Sequence, residues 1–563
     1  MTQAPQTTAP DRGTRPAAGT PGAAREGRPP DAAPFAGTGT LVWFHLRRDR
    51  VMITSWVAVI ALFVLMTAAA FADTYQTVAE RVPFARTVVS NSGLIALAGK
   101  PFDLLSTGGL TAWRIGGFAA ALAGVMSYLL VVRHTRAEEE TGRLELVGAA
   151  AVGRRAPLAA ALLVTALADA ALALAIAVPM AVAGLPVAGA AALGLAVGTA
   201  GWVFAAVSAV AAQLTQTGRA ANGLAATVLG AAYVVRGVAD SAGPEWLAWL
   251  SPLGWAARTR PYADERWWVY ALPLGLSALL VGLAVALNER RDLGEGVIPS
   301  RPGRPGAGPA LNGSLALAWR LQRGSLLGWT AGFAVLGTIY GSIAETTADI
   351  FRDSPQLAEA LEQFGIDADA AVDSYLATTL GLGGVVAAGY AVQAVLRLRG
   401  EETGGSAESL LSTPLGRVRW AAGHLSVALL GSALLVVVMG LMSGVAHGVV
   451  GGDVGGDAGR MVVAGLGQVP AVWVFAGIGL ALFGLLPHRT PLSWAAVVGG
   501  FLITWIGPAV KLPQWALDLS PFTHLPMLPG GDATATPYLW LLVVAAAFGM
   551  AGLAGLRRRD LPL

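Results

Sequence analysis

The chain has no cysteine among its 563 residues, which excludes disulfides, iron–sulfur clusters and thiolate metal sites. Charged residues are also scarce, at 13%, which is about half the share expected of a soluble globular protein. Lysine is nearly absent, with Lys100 and Lys511 as the only two. Because hydrophobic residues make up 55% of the sequence, this composition is typical of a membrane protein.

Motifs for nucleotide binding and hydrolysis are missing as well. Gly99-Lys100 is the only Gly-Lys pair, and proline follows it where a phosphate loop needs Ser or Thr. We find no His-Glu-x-x-His, no Ser/His/Asp set and no convergent carboxylate pair. We therefore expect no catalytic residue, no cofactor and no metal site in this chain, and a membrane enzyme is disfavoured.

Uncharged stretches of the ~20 residues needed to cross a bilayer as a helix recur along the chain. They predict an all-α polytopic membrane protein with about twelve transmembrane helices. Spans 3 and 4 are separated only near Gly184-Leu185-Pro186. The predicted spans are 52–71, 110–132, 157–181, 189–212, 221–239, 267–287, 325–344, 376–396, 421–445, 461–486, 491–510 and 537–556.

Four short motifs occur twice, in one order and at similar spacing. Ordered matches of this kind indicate a duplicated unit. The pairs are Glu-Glu-Thr-Gly at 139–142 and 401–404, Gly-Arg at 153–154 and 416–417, Pro-x-Trp-x-x-x-Leu-Ser-Pro at 244–252 and 513–521, and Arg-Arg-Asp-Leu at 290–293 and 558–561.

The duplication predicts four segments. Residues 1–40 lack apolar periodicity, which predicts a disordered cytoplasmic tail. Residues 41–296 and 314–563 would be two tandem six-helix repeats, joined by a flexible linker at 297–313 that is rich in Pro, Gly and Arg. Six spans is an even number, so both halves would insert with the same orientation.

Charge distribution predicts the orientation. Arginines cluster before span 1, after spans 2, 6, 8 and 12, and between the halves, which places these loops and both termini in the cytoplasm of a cell-membrane protein. The loop Glu345–Asp373 holds eight acids and one base, Arg352, and would face outward. Within it, Ser354-Pro355 predicts the start of a solvated helix.

The two Glu-Glu-Thr-Gly loops carry the most specific signal. Each is followed by a short amphipathic segment that could dock into a cleft on a soluble partner, with its charges setting register. The other interpretation is that arginines anchor the span ends and glutamates balance them. The candidate residues are Glu139, Glu140, Thr141, Gly142 and Glu145 in the first loop, and Glu401, Glu402, Thr403, Gly404 and Glu408 in the second.

The Pro-x-Trp motifs are too short to span, and their tryptophans favour the membrane interface. A re-entrant external turn fits where protein covers the irregular backbone; an ordinary interface anchor fits equally. The residues concerned are Trp246, Ser251, Pro252, Trp515, Ser520 and Pro521. Asp169 is the clearest acid within a span, and it would be either an intramembrane polar site or a hydrogen-bonded structural group.

Taken together, the motifs resemble those of permease subunits of ATP-binding-cassette exporters, in the actinobacterial polyketide-antibiotic (tetronasin-resistance-like) group. The resemblance covers nearly all of the chain after residue 40. It rests on Gly99–Asp103 with Gly108–Arg114, on both Glu-Glu-Thr-Gly loops, and on Leu-Ser-Pro before the last span of each half. Lys100 departs mildly from the Gly-Pro-x-Asp pattern common there.

The resemblance implies export of hydrophobic or amphipathic small compounds, powered by a separate cytoplasmic ATPase. Two ATPase copies would bind ATP and Mg and dock on coupling loops at Glu138–Arg155 and Glu401–Arg419. Interfacial helices would lie at Leu41–Arg50 and Leu315–Gly324.

Two other functions stay open. A proton-coupled drug carrier also has two six-span halves, although the major-facilitator loop signature is missing after span 2. A non-transporting membrane sensor or scaffold is the other alternative.

Overall fold

A computed structural model describes residues 33–559 with short gaps. The predicted tail up to residue 32, most of the linker and the predicted helix after Ser354 lie outside the described residues. The gaps are 91, 149, 242, 293, 299–305, 307, 309–310, 312, 353–367, 506 and 509–510. All regular secondary structure in the described part of the chain is helical, which confirms the predicted class.

We call the described residues before 299 the N-terminal half and those after 305 the C-terminal half. The N-terminal half contains α1 (Thr38–Thr74), α2 (Val78–Ser90), α3 (Ser92–Ala98), α4 (Thr107–His134), α5 (Arg136–Glu140), α6 (Arg143–Gly148), α7 (Ala156–Val182), α8 (Val187–Leu214), α9 (Gly218–Ser241), α10 (Pro252–Arg258) and α11 (Ala271–Arg290). Short 3₁₀ turns at Glu245–Leu250 and Trp267–Tyr270 precede α10 and α11.

The C-terminal half follows a similar order. It contains α12 (Ser314–Arg352), α13 (Ala368–Thr403), α14 (Ser406–Leu411), α15 (Arg417–Gly451), α16 (Val454–Leu466), α17 (Val469–Leu485), α18 (Leu492–Trp505), α19 (Gln514–Leu517) and α20 (Ala535–Arg558). Two 3₁₀ turns, Pro487–Arg489 and Pro521–His524, complete it.

Within the described residues, eleven helices are long and apolar enough to cross a membrane. The span predicted at 491–510 differs, because its helix α18 has only 14 residues. At ~1.5 Å per residue it covers about 21 Å, short of the ~30 Å hydrocarbon core. Beyond α18, Gly507 N–H turns back to the carbonyl of Leu502 at 3.0 Å, and Pro508 follows. The described part of the chain therefore contains eleven helices of spanning length, with α18 as a shorter helix at the place of the predicted span 491–510.

The predicted break between spans 3 and 4 is confirmed. Helix α7 ends at Val182 and α8 begins at Val187. Gly184 takes a left-handed conformation, φ +87°, which glycine adopts without steric cost. The chain can therefore reverse within four residues although the surrounding sequence is almost continuously apolar.

Helix α1 contains a bend that hydropathy does not reveal. Asp49 has non-helical dihedrals, φ −105° and ψ 16°. Its carboxylate is buried and bonded to the guanidinium of Arg133, at 2.8 and 2.9 Å. The segment 38–48 is thus a distinct helix joined to the span at an ion pair, consistent with the separate helix expected at Leu41–Arg50.

Each half has its own apolar core. Ile60, Met126 and Leu172 belong to the main N-terminal cluster, and Phe333 and Leu435 belong to the C-terminal one. The most buried span windows lie in α4 and α8 of the first half, and in α13 and α16–α17 of the second. Between the halves, α3 packs against α12.

Candidate functional site

The loop after α4 is bonded into its own half by arginine. Arg136 opens α5 with its side chain 1% exposed. Its Nε donates to the carbonyl of Ala212 at 3.1 Å, and its Nη2 donates to that of Glu295 at 2.8 Å. Burying a guanidinium is costly unless it is paired, and Glu139 is its partner at 2.5 Å.

Glu139 is the centre of this arrangement. Its carboxylate accepts two hydrogen bonds from Arg291, at 2.5 and 2.9 Å, in the bidentate geometry typical of Arg–carboxylate pairs. Both side chains are 5% exposed. Arg154 then donates to the backbone carbonyl of Arg291 at 2.8 Å. We call Arg136, Glu139, Arg154 and Arg291 the N-terminal clamp.

The same bonds recur in the second half. Arg399 pairs with Glu402 at 3.3 Å, and Glu402 also bonds to Arg559. Arg417 donates to the backbone carbonyl of Arg559 at 2.6 Å. We call these four residues the C-terminal clamp. Three of the repeated sequence motifs therefore meet in space, at what we call the basic end of the protein.

The contacts correct the register of the repeat. The Glu-Glu-Thr-Gly match aligns Glu139 with Glu401. The equivalent ion pairs instead make Glu402 the counterpart of Glu139. Glu401 then corresponds to Glu138. Glu138 pairs with Arg48 at 2.7 Å, and Glu401 accepts from the indole of Trp420 at 3.1 Å. Each of these glutamates ties its loop to another helix of the same half.

The other loop residues predicted as sites have more modest contacts. Glu140 accepts the N–H of Gly218, the first residue of α9, at 3.0 Å. Thr141 and Thr403 each hydrogen-bond to their own helix, at 3.1 and 2.9 Å. Gly142 has φ +69° and forms a turn, and Gly404 is exposed. Glu145 and Glu408 are exposed at the surface.

The short helices after the clamps differ in what they expose. In α6, Leu146 is 77% exposed beside Glu145. In α14, Leu410 and Leu411 pack against the C-terminal core, and Glu408 and Ser409 are exposed. Hence the first loop presents an apolar side chain to its surroundings, whereas the second loop uses its leucines for packing.

Sequence reasoning did not assign the arginine partners. Arg291 and Arg559 stand in the repeated Arg-Arg-Asp-Leu motif, which served only as a sign of duplication. Arg48 precedes the first span, where its charge predicts only the orientation of the chain. The available signal was the repetition itself, because three motifs kept together in both halves can share one contact network.

At the end opposite the basic end, the serine of each Leu-Ser-Pro turn makes an equivalent hydrogen bond within its own half. Ser251 Oγ donates to the carbonyl of Ala232 in α9 at 2.6 Å. Ser520 Oγ donates to that of Gly500 in α18 at 3.2 Å. Pro252 and Pro521 begin the helical turns that follow. The tryptophans Trp246 and Trp515 are exposed, at 62% and 70%. Thus the serines fix the turns and the tryptophans face outward.

Lys100, the residue that departs from the family pattern, contacts the first of these turns. Its Nζ lies 2.5 Å from Glu245 Oε1, and this hydrogen bond lowers the pKa of the Glu245 carboxyl. Both side chains are exposed, so the pair adds little to stability. It places the segment before α4 beside the Pro244–Pro252 turn.

Asp169 lies inside the N-terminal bundle among α4, α7 and α8. Its Oδ1 accepts a hydrogen bond from Ser127 at 2.8 Å. A Cβ on Gly201 would come within 2.3 Å of the same oxygen, so glycine is needed there. Oδ2 has no hydrogen-bond partner among the described residues. Asp169 is therefore a buried, tightly packed group, away from both basic loops.

The helices and loops define a class: a multi-pass helical membrane protein whose loops are ion-paired into each half. Residues 311–557 match the family described as "Multidrug efflux system permease Rv1217c, C-terminal domain". The chain is also 40% identical, over 527 residues, to the multidrug efflux system permease protein Rv1217c of Mycobacterium tuberculosis, covering 93% of this chain and 95% of the relative. The chain therefore belongs to this family of multidrug efflux system permeases.

Proposed function

We propose that this chain is the membrane-spanning permease of an ATP-binding-cassette-type exporter. It would move hydrophobic or amphipathic compounds, polyketide-type antibiotics among them, out of the cell. A separate cytoplasmic ATPase, in two copies, would bind ATP and Mg and supply the energy. Family membership supports the export of drugs, and the loops at the basic end support the coupling. The two six-span units and the cytoplasmic termini belong to the same proposal.

The observation that carries the coupling is the clamp. Because Glu139 binds Arg291 and Arg136 at once, the first loop cannot shift without the end of α11. Glu402 links the second loop to the end of α20 in the same way. A force applied to α6 or α14 would thus reach a whole half rather than one loop. Coupling of this kind needs contacts that differ between two states of the halves.

The surface available to an ATPase is smaller than the predicted site. Glu139 and Glu402 are buried by their ion pairs, with side chains 5% and 6% exposed, so they would hold the loops in place. Glu145, Leu146 and Glu408 are exposed and would meet the partner. An exposed leucine flanked by charge suits a docking cleft, with the charges setting register.

A cavity between the halves suits an apolar cargo. It measures about 320 Å³, within the range of small-molecule sites. Tyr233 and Val234 of α9 line one side, and Val335 and Ile339 of α12 line the other. Since the two halves meet there, movement of one half against the other would open or close this space.

The test is purification of the chain from its native host and identification of what accompanies it. We expect a soluble phosphate-loop ATPase at about two copies per chain. Glu145→Arg with Leu146→Ser should remove one copy, and Glu408→Arg should weaken the other. Asp532→Arg, an exposed acid at the opposite end, is the matched control and should leave the complex intact.

A chain that purifies alone and moves drugs on a proton gradient would contradict this proposal. Asp169 Oδ2 has no hydrogen-bond partner in the described part of the chain, and this favours such a proton-coupled carrier. Asp169→Asn separates the two functions: it should abolish proton-driven flux in a carrier and leave ATP-driven flux in an exporter. An ATPase complex without drug flux would instead indicate a sensor or scaffold.

A further inference from the structure

A second and larger cavity lies at the basic end of the N-terminal half. It measures about 780 Å³, near the upper part of the range for small-molecule sites. It is bounded by α1, α4, α5 and the first turns of α9. None of the residues singled out from the sequence, apart from Glu140, lines it.

One wall of this cavity is apolar. Met52 and Trp56 of α1 face Met126, Leu129 and Leu130 of α4. Methionine side chains adapt to ligands of different shape, and an aromatic ring offers a broad flat contact. The wall can therefore bind apolar groups of different shapes.

The polar side holds one cation without an ion pair. Arg133 lines the cavity but is bonded to Asp49, and Glu140 accepts the N–H of Gly218. Arg219 is exposed and has no ion pair within 4.0 Å among the residues that the structure describes, and the carboxylates of Glu140 and Glu401 act on it only at longer range. Asn222 lies about one turn after Arg219 in α9. Its buried Oδ1 has no hydrogen-bond partner among the described residues.

We propose that this cavity binds amphipathic organic anions. The acidic head group would pair with the guanidinium of Arg219, and a hydroxyl or N–H of the ligand would donate to Asn222 Oδ1. The apolar body would lie on Trp56 and the methionines. A guanidinium presents several N–H donors in a plane, which matches a carboxylate or phosphate. The inference rests on the proposed function only in treating such compounds as cargo.

The position of Glu140 connects this cavity to the first loop. Glu140 ends α5, caps the first residue of α9, and lines the cavity. A ligand seated on Arg219 would thus contact the segment that carries the N-terminal clamp. Occupancy of the cavity and the position of the loop would be coupled, as linkage between two sites requires.

Binding can be measured on the purified chain without an ATPase. We would titrate the chain, in nanodiscs of zwitterionic lipid, with 11-(dansylamino)undecanoic acid and with its methyl ester. Hydrogen bonds to charged groups contribute about 1.5–3 kcal/mol, and about 1.4 kcal/mol corresponds to tenfold in affinity. Arg219→Gln should therefore weaken binding of the acid at least ~10-fold and leave the ester unchanged.

Two variants make the result specific. Arg323→Gln removes an exposed arginine of α12 and should change neither affinity. Trp56→Ala should weaken the acid and the ester alike, because it removes apolar contact only. Competition with phosphatidylglycerol distinguishes a lipid head group from a free acid as the ligand. Displacement of the bound probe by this lipid assigns the site to lipid head groups. If the probe stays bound, the site is assigned to free acids.

The proposal is overturned if the acid and the ester bind equally, or if Arg219→Gln and Arg323→Gln weaken the acid to the same extent. Neither result depends on ATP or on transport. Failure here would leave the exporter proposal standing, and failure of the ATPase complex would leave this binding measurement intact.

Discussion

The two basic loops share their buried contacts and differ in their exposed ones. Glu139 and Glu402 make the same pair of bonds to arginines of their own half. Outside the clamps the likeness ends: α6 exposes Leu146, whereas α14 packs its leucines inward. The common part joins each loop to its half, and the variable part meets the surroundings. A partner that docks on both loops would therefore find two different surfaces.

A second difference lies inside the bundles. At the offset that relates Arg154 to Arg417, Ser127 corresponds to Tyr390 and Asp169 to Ser432. The first half fills this place with a hydroxyl–carboxyl pair beside Gly201. In the second half, Tyr390 lies against Gly431, where a Cβ would come 2.3 Å from its hydroxyl. The halves thus keep a similar arrangement of helices with different polar chemistry at its centre.

The largest effect should come from breaking a clamp. Glu139→Ala leaves Arg136 and Arg291 buried without a counter-charge, and loss of one partner of a buried pair costs about 3–5 kcal/mol. Glu402→Ala should cost less, because its partners Arg399 and Arg559 are 30% and 14% exposed and water can solvate them. Unfolding by SDS titration in mixed micelles would measure both.

Equal costs for the two clamp variants would show that exposure does not distinguish the halves. A cost below ~1 kcal/mol for Glu139→Ala would contradict the clamp itself. Glu145→Ala, an exposed glutamate of the same loop, is the control and should stay within about 0.5 kcal/mol.

A smaller effect is expected at the centre of the N-terminal bundle. Gly201→Ala would place a methyl group 2.3 Å from Asp169 Oδ1, and overpacking of this kind typically costs about 1–3 kcal/mol. Gly223→Ala is the matched control, because nothing lies within 4 Å of its added Cβ. There alanine should stabilise the helix by up to ~1 kcal/mol. The same titration checks the sign, and a tolerated Gly201→Ala would contradict the packing described for Asp169.

The smallest effect should be the same in both halves. Ser251→Ala removes the hydrogen bonds to the Ala232 carbonyl and from the Gly254 N–H. Ser520→Ala removes those to the Gly500 carbonyl and with the Thr504 hydroxyl. A bond of this type contributes about 0.5–1.5 kcal/mol. Thermal unfolding of the purified variants would compare them. A large cost in only one half would show that the two turns are not equivalent.

Hydropathy was sufficient for most of the fold. Charge is so rare in this chain that each apolar run stands out, and even the break at Gly184 was visible from one Gly-Leu-Pro. The length of helix α18 was overestimated because the apolar run continues past the point where the backbone turns at Gly507. Hydropathy does not show the bend at Asp49, because its cause, Arg133, lies 84 residues away; the family resemblance alone implied a separate helix there.

The sites were harder to predict for the same reason. Repetition identified the two loops that contain the clamp glutamates, and composition within a loop could not say which glutamate is buried. Glu139 and Arg291 are 152 residues apart, so only the fold brings them together. The Glu-Glu-Thr-Gly match also set the repeat one residue out of register, since Glu140 has Thr403 as its counterpart. Arg219 carried no signal, because a single arginine before a span reads as an anchor.

Residues 34–36 have a practical consequence for experiments. The carbonyl of Ala36 accepts the N–H of Gly153, and that of Pro34 accepts the N–H of Arg155, both at 2.9 Å. At the other extremity of the described chain, Arg559 is bonded to Arg417. A fluorescent donor at residue 33 and an acceptor at residue 558, the exposed neighbour of Arg559, would therefore each lie beside a different basic loop. Energy transfer between them would follow the separation of the two loops in real time, with no label inside the membrane.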